Sequence, residues 1–151
     1  MELDLEPRVI EFANSLLQEG GFDLEASAVA DPDGFRVNIA GDDLAVLLGR
    51  KAELLDALEY VCNRVFTTGS GPEPRIVFDA ENYRARRERE LRLMAEKAAE
   101  KVRASRIPFT FEPMSPNERR IIHLALGEDQ TVKTESRGNG IDRKVMIYPA
   151  S

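Results

Sequence analysis

Arg119 and His123 are the residues of this 151-residue chain best suited to do chemistry. They lie four apart within Ser115-Pro116-Asn117-Glu118-Arg119-Arg120-Ile121-Ile122-His123-Leu124-Ala125-Leu126-Gly127, a segment with helix signals at both ends. Ser115 and Glu118 have capping-box spacing, so each is expected to satisfy an orphan amide at the helix start. Pro116 falls at the first helical position, where its missing N–H costs nothing, and Gly127 suits a left-handed stop. That register puts Arg119 and His123 one turn apart on the same face. A permanent cation beside a ring that can stack or hydrogen-bond suits the grip of a nucleic-acid strand.

Other chemistries find less support. The chain has one histidine and one cysteine, Cys62, which excludes a zinc site built from several Cys and His and an internal disulfide. A lone cysteine on an apolar helix stripe reads as core, and its use fits a reducing cytoplasm. There is no Ser/His/Asp or Cys/His arrangement, and Gly49-Arg50-Lys51 lacks the spacing of a phosphate-binding P-loop. Nothing supplies a second acid or base beside His123. A binding protein rather than an enzyme is expected, with no metal and no cofactor.

Hydrophobic content of 42% with 32% charged residues describes a soluble globular chain, one ordinary domain or two very small ones. No apolar run approaches a membrane span, and Met1-Glu2-Leu3-Asp4-Leu5-Glu6 is acidic where a secretory signal is basic. The net charge of −6 is unevenly spread. Residues 1–80 carry 6 Lys/Arg against 16 Asp/Glu, whereas residues 81–151 carry 15 against 11. Attraction to phosphate is therefore expected from the second half.

The elements that must position these residues follow from periodicity. Residues 7–18 carry a helical stripe of Val9, Ile10, Phe12, Ala13, Leu16 and Leu17, ended by Gly20-Gly21. Two alternating stretches, 22–30 and 35–39, flank Asp31-Pro32-Asp33-Gly34 and predict a hairpin. Asp42 or Asp43 is placed to cap a short helix through Leu48. Gly49-Arg50-Lys51-Ala52 interrupts it, and a second helix follows with Leu54, Leu55, Leu58, Val61, Cys62 and Val65 on one face. A flexible loop over 67–74 and a third strand over 75–78 come next. From Asn82 to Ser105 there is no Gly or Pro, which predicts a helix of roughly 35 Å with Tyr83, Leu91, Met94, Ala98 and Val102 as its apolar stripe. Its arginines at 84–92 alternate with Glu88 and Glu90, the pattern of a salt-bridged face. A strand near 109–112, the helix carrying Arg119, and strands near 131–135 and 144–148 complete the chain. The expected architecture is α+β, in two domains of residues 1–80 and 81–151.

Val46-Leu47-Leu48-Gly49-Arg50-Lys51-Ala52-Glu53-Leu54-Leu55-Asp56-Ala57-Leu58 resembles the helix–Gly-x-x-Gly–helix element of the KH domain, and α-β-β-α-α-β is the order of the bacterial, type II KH fold. The resemblance implies that Gly49, Arg50, Lys51 and Ala52 meet phosphates, above a groove floored by Ile39, Leu47, Leu48 and Leu54. The second glycine of the pattern is Ala52 here, and Asp42, Asp43, Glu53 and Asp56 lie close by. A plain helix–turn–helix whose surface binds protein is the alternative.

Phe111–His123 resembles the core of the R-3-H domain, named for its Arg-x-x-x-His spacing. Thr134-x-Ser136-x-Gly138, Lys144-Val145-Met146-Ile147-Tyr148-Pro149 and Asn82-Tyr83-Arg84-x-Arg86-Arg87 are similar to other parts of the same domain, a small β-α-β-β unit after a long helix. A KH domain followed by an R-3-H domain is the arrangement of the bacterial Jag family (SpoIIIJ-associated proteins, also called KhpB or EloR). The likeness runs from about Val9 to Pro149. The extra Jag-N domain common in that family does not fit before residue 20.

The resemblance implies a cytoplasmic protein that binds single-stranded RNA (or DNA), with a role in post-transcriptional regulation and in cell elongation or division. It implies a partner as well: a small KH-domain protein, or a second copy, paired through the KH half. The alternative function is an adaptor in which that pairing is primary and RNA secondary. Arg119 would contact phosphate or a base edge and His123 would stack or hydrogen-bond, unless the ring is a structural one bonding a backbone carbonyl. Arg120, Lys133, Arg137, Arg143 and Lys144 would extend the basic surface.

Overall fold

The structure is a computed structural model that describes residues 5–32, 34–67 and 76–151. The chain is mixed α+β and divides into two units, Met1–Arg84 and Ala85–Ser151.

In the first unit, helix α1 (Leu5–Glu19) buries Val9, Ala13 and Leu17, spaced four apart on one stripe. Its end is a left-handed cap. Gly21 has φ +74, its N–H donates to the Gln18 carbonyl, and the Phe22 N–H donates to that of Leu17. Residues 20–22 thus finish the helix, so strand β1 spans Glu25–Asp31 rather than starting at Phe22. β1 pairs antiparallel with β2 (Gly34–Ala40) as the expected hairpin, though Asp33 of its turn lies outside the described residues. Strand β3 (Val77–Asp79) runs parallel to β2, giving the order β1-β2-β3. Most of the loop expected at 67–74, and Arg75 of the expected third strand, fall outside the described residues.

Between β2 and β3 the chain is helical over Leu44–Phe66 (α2), except at Gly49–Ala52, where it kinks into two helices. The order α-β-β-α-α-β expected for this half is the observed one. Neither Asp42 nor Asp43 caps the helix with its side chain. Asp43 occupies the N-cap position, but its carboxylate accepts the Asp23 N–H at 2.6 Å. The apolar face of the second part is narrower than its sequence suggests: Leu55, Leu58 and Cys62 are buried, whereas Val61 and Val65 are exposed. Burial pushes the Cys62 thiol up to about 11, the behaviour of an inert core residue.

Two asparagines tie the layers together. Asn14 on α1 exchanges hydrogen bonds with both backbone groups of Ala26. Asn63 on α2 does the same for Ile76, donating to its carbonyl at 2.8 Å and accepting its N–H at 2.9 Å. Glu59 accepts the Phe78 N–H, and Arg84 donates to Asp56, Glu59 and the Phe78 carbonyl. A three-residue strand has too few ladder bonds to hold itself, so these side chains fasten β3.

The second unit is built on α3 (Tyr83–Ser105), of which residues from Ala85 onward belong to it. Strands β4 (Phe109–Thr110), β5 (Val132–Arg137) and β6 (Lys144–Pro149) form an antiparallel sheet in the order β4-β6-β5. Helix α4 (Pro116–Leu126) packs with α3 on one side of that sheet. The core joins Leu91, Ala95, Ala98, Ala99 and Val102 of α3 to Ile122 and Leu126 of α4 and to Val132, Val145 and Ile147 of the sheet. The stripe on α3 thus rests on small alanines, Ala95 and Ala99, while Met94 is exposed.

Replacing Asn63 by Ala leaves both backbone groups of Ile76 without their partner. We expect a loss of about 1–3 kcal/mol, read as a lower urea midpoint for the first unit's transition.

Candidate nucleic-acid interface

Helix α4 starts as its sequence suggests, but by half of a capping box. Ser115 is the N-cap and accepts the Glu118 N–H at 3.3 Å, with Pro116 in the first turn. The Glu118 carboxylate does not turn back to Ser115. It pairs with Arg87 of α3 at 2.7 Å, the two side chains being 12% and 17% exposed. A nearly buried ion pair is a stronger claim on that carboxylate than a neutral backbone amide. The helix end also departs from expectation. Gly127 is right-handed (φ −61, ψ −28), and its N–H closes a tight turn onto the Leu124 carbonyl.

His123 points from α4 toward β5, and both its ring nitrogens are engaged. Nδ1 lies 2.7 Å from Thr134 Oγ1 and Nε2 lies 2.7 Å from Ser136 Oγ. A neutral imidazole donates from one nitrogen and accepts at the other. One hydroxyl therefore receives the ring proton and keeps its own to offer outward, while its neighbour donates to the ring. The ring edge is thus unavailable to a ligand, and the backbone carbonyl considered as its structural partner is not used. Thr134 and Ser136 enter the site through this contact. In the sequence they stand only as part of a strand motif, although their spacing of two already puts both hydroxyls on one strand face.

Two arginines converge on the ring. Burial, then the charge of Arg119, then that of Arg143, hold His123 below the usual histidine value. Arg119 is half-buried, and its Nε donates to the Met114 carbonyl at 3.2 Å. The Met114 N–H in turn donates to the Arg143 carbonyl, so one backbone unit links both arginines. Arg143 Nη1 donates to the Gly138 carbonyl at 2.8 Å. Gly138 has φ +97, and a Cβ there would meet the Asp142 oxygen and the Arg143 Cα at 3.1 and 3.2 Å. Glycine is what allows the chain to fold back and bring Arg143 in.

The remaining basic residues do not join this cluster. Arg120 is exposed on α4. Lys133 and Arg137 alternate with Thr134 and Ser136 on β5, so they project from the opposite face of the sheet. Lys144 pairs across from Arg137 and shares that outer face. The single extended surface expected from the sequence is therefore two surfaces. On α3 the salt-bridge pattern is real: Arg87 pairs with Glu90 as well as Glu118, and Arg92 pairs with Glu88.

In the first unit, Gly49, Arg50 and Lys51 are exposed and Ala52 is fully buried. The methyl of Ala52 thus belongs to the core rather than to a strand's path. Gly49 is extended (φ −64, ψ 156), a conformation open to any residue, and a Cβ on it would meet nothing within 4 Å. The left-handed positions are Arg50, Lys51 and Ala52, at φ 53, 59 and 61. Each costs about 1–2 kcal/mol for a residue with a Cβ. The turn is made by these strained residues and not permitted by Gly49. Ile39 and Leu47 are fully buried, so they lie beneath the surface, while Leu48 and Leu54 are half-buried against the core.

Among the described residues no group of three or more His, Cys, Asp or Glu could hold a metal ion, and no helix is long and apolar enough to cross a membrane.

Residues 89–149 match the R-3-H domain, so the second unit, with its Arg119/His123 helix against a three-stranded sheet, is an R-3-H domain. The chain as a whole belongs to the Jag (KhpB) family. It is 35% identical over 145 residues to the RNA-binding protein KhpB of Clostridium symbiosum, covering 95% of this chain and 65% of that protein. It is 34% identical over 114 residues to the RNA-binding protein KhpB of Bacillus subtilis (strain 168), covering 74% and 55%. The chain thus spans between about half and two thirds of the length of these curated relatives.

The lowered His123 value has a consequence for stability. Above the ordinary value of 6.5 the ring is neutral folded or unfolded, and its favourable packing is fully present. As pH falls through 6.5 the unfolded chain takes the proton first, so stability is lost until the folded value is passed. We expect the urea midpoint of the second unit to fall as the pH is lowered through 6.5. The decline should flatten in His123→Gln, because the chain has no other histidine.

Proposed function

We propose that this protein binds single-stranded RNA through the face where α4 meets β5. The observation that carries the reading is the convergence of Arg119 and Arg143 on His123 without a carboxylate partner for either. Arg119 spends only its Nε on Met114, and its two terminal nitrogens have no partner among the described residues. They present a planar donor fork, the group best matched to a phosphate or a base edge. His123 acts there through the two hydroxyls it orients. The relatives named RNA-binding proteins support the same ligand.

The Gly49–Ala52 turn of the first unit, a KH-like element, supplies a second contact. Three successive left-handed residues are costly, and a fold retains such strain where it presents backbone and side chains in a required arrangement. The open space over Gly49 leaves room for a phosphate to approach the backbone. In the cell this is a cytoplasmic binding protein rather than an enzyme, a bacterial post-transcriptional regulator linked to cell elongation or division.

A second reading, an adaptor whose KH-like unit pairs with a small KH protein or another copy, is favoured by one feature. Tyr60, Val61 and Val65 leave α2 exposed at 67, 38 and 54%, in the half that carries the acidic excess.

Fluorescence anisotropy with a single-stranded RNA oligomer over a salt series tests the first reading. Arg119→Ala should weaken binding about tenfold or more, the worth of a charge-assisted hydrogen bond, and lower the salt slope by about 0.7. Unchanged affinity and slope would reject the α4 site. Arg50→Gly separates the loop's role from its stability: relieving the left-handed strain should leave the melting temperature level or higher while RNA affinity falls. A complex with a KH protein that survives RNase, together with RNA affinity too weak to measure, would favour the adaptor.

A further inference from the structure

We propose that the outer face of the second unit's sheet is a separate binding surface for single-stranded RNA, with Tyr148 as its stacking platform and Lys133, Arg137 and Lys144 as its phosphate contacts. The proposal takes its choice of ligand from the reading above but rests on different residues.

Register and alternation define the face. Val132, Val145 and Ile147 point into the core, so their neighbours in the strands point out. Across β5 and β6 the outward pairs are Lys133 with Tyr148, Glu135 with Met146, and Arg137 with Lys144. Thr110 of β4 continues the row beside Met146. Both helices of the unit contribute to the core on the inner side, and none of the outward residues belongs to it. At the paired positions of this face, among the described residues, three cations stand against one carboxylate. That carboxylate, Glu135, meets Arg137 at 3.3 Å with both side chains more than half exposed, a pair that solvent screens heavily.

The arrangement is that of a nucleic-acid surface. The Arg137 guanidinium lies 5.5 Å from the centre of the Tyr148 ring, so a flat aromatic and a flat cation already sit together. The Tyr148 hydroxyl donates to the Met146 sulfur at 3.3 Å, tying the ring down over the strand. Bases stack on such rings with little sequence preference while flanking cations follow the backbone. Edge protection and a protein interface both fit the face less well. Lysine on an edge strand can serve to block pairing with another sheet, which would account for Lys133 on β5. It would not account for Lys144, which lies on the central strand β6. A protein interface depletes lysine from its centre, whereas here lysines flank the one aromatic. β5 is itself an edge strand, with the His123 hydroxyls on one face and Lys133 and Arg137 on the other. The two surfaces therefore meet along its free edge.

The test measures affinity and salt slope for an oligouridine of about 16 nucleotides, together with photo-crosslinking and peptide mapping, on the full chain. Lys133→Ala/Lys144→Ala should lower the slope by about 1.4, two single-strand phosphate contacts. Tyr148→Leu should weaken binding about tenfold, and Tyr148→Phe should restore it. Crosslinks to residues 144–149 should persist in Arg119→Ala. Wild-type slope and affinity in the lysine pair, with crosslinks confined to α4, would overturn this surface and leave the α4 reading standing. Absence of any binding by the wild-type protein would overturn both. Unchanged RNA affinity with loss of self-association on sizing would assign the face to protein and overturn the proposal. Both lysines project from the outer face, so their replacement does not disturb the core, and the double variant decides the question even if Tyr148→Leu folds poorly.

Discussion

A β-strand turns successive side chains to opposite faces, and in the second unit the strand β5 divides its own polar residues by that rule. Thr134 and Ser136 face α4 and clamp both nitrogens of His123. Lys133 and Arg137, one step out of phase, face away. The register with β6 carries the division across the sheet, so Val145 and Ile147 are core while Lys144, Met146 and Tyr148 are surface. A slip of one residue would exchange the two sets, exposing valine and isoleucine and burying lysine. The hydrophobic core therefore fixes which polar groups meet which helix.

The clamp on His123 only works if α4 is held at a defined height and rotation. Ser115 and Pro116 start the helix, the Arg87–Glu118 pair binds it to α3, and Ile122 and Leu126 bury its apolar side. Arg119 is then placed by the same loop that places Arg143, through the two backbone groups of Met114. In the proposed site the ring is a positioning residue, and the Arg119 guanidinium keeps two nitrogens without a partner among the described residues. The glutamate that sequence spacing gives to the helix cap is used between helices instead, because an ion pair with little solvent access outweighs a hydrogen bond from a neutral amide.

Much of this was legible in the chain. The α-β-β-α-α-β order follows from two clean periodicities and strong turn residues, and the burial of Val9, Ala13, Leu17, Leu91, Ala98 and Val102 follows from helical spacing. The kink after Leu48 is marked by the loss of apolar periodicity. Its conformation is not, since the left-handed angles fall on Arg50, Lys51 and Ala52, residue types that give no such signal. Val61, Val65 and Met94 read as core and are exposed. A stripe's width depends on how much of the helix its neighbours cover, and that is not a property of the helix. The left-handed cap appears at Gly21, where it ends α1, and is absent at Gly127, where a tight right-handed turn suffices.

By itself the sequence determined the local matters: which segments are helix or strand, their order along the chain, and that Arg119 and His123 share a helix face. These depend on spacings of two, three or four residues and on capping chemistry, all short-range. It also determined the uneven charge, a matter of counting. Only the tertiary structure decided the partners: that His123 is held by Thr134 and Ser136, that Glu118 belongs to Arg87, and that the basic residues of β5 and β6 form a face of their own. Those pairings join positions 11 to 31 residues apart or depend on strand register. The physical reason is that side-chain direction is set locally, whereas what lies in that direction is set by packing.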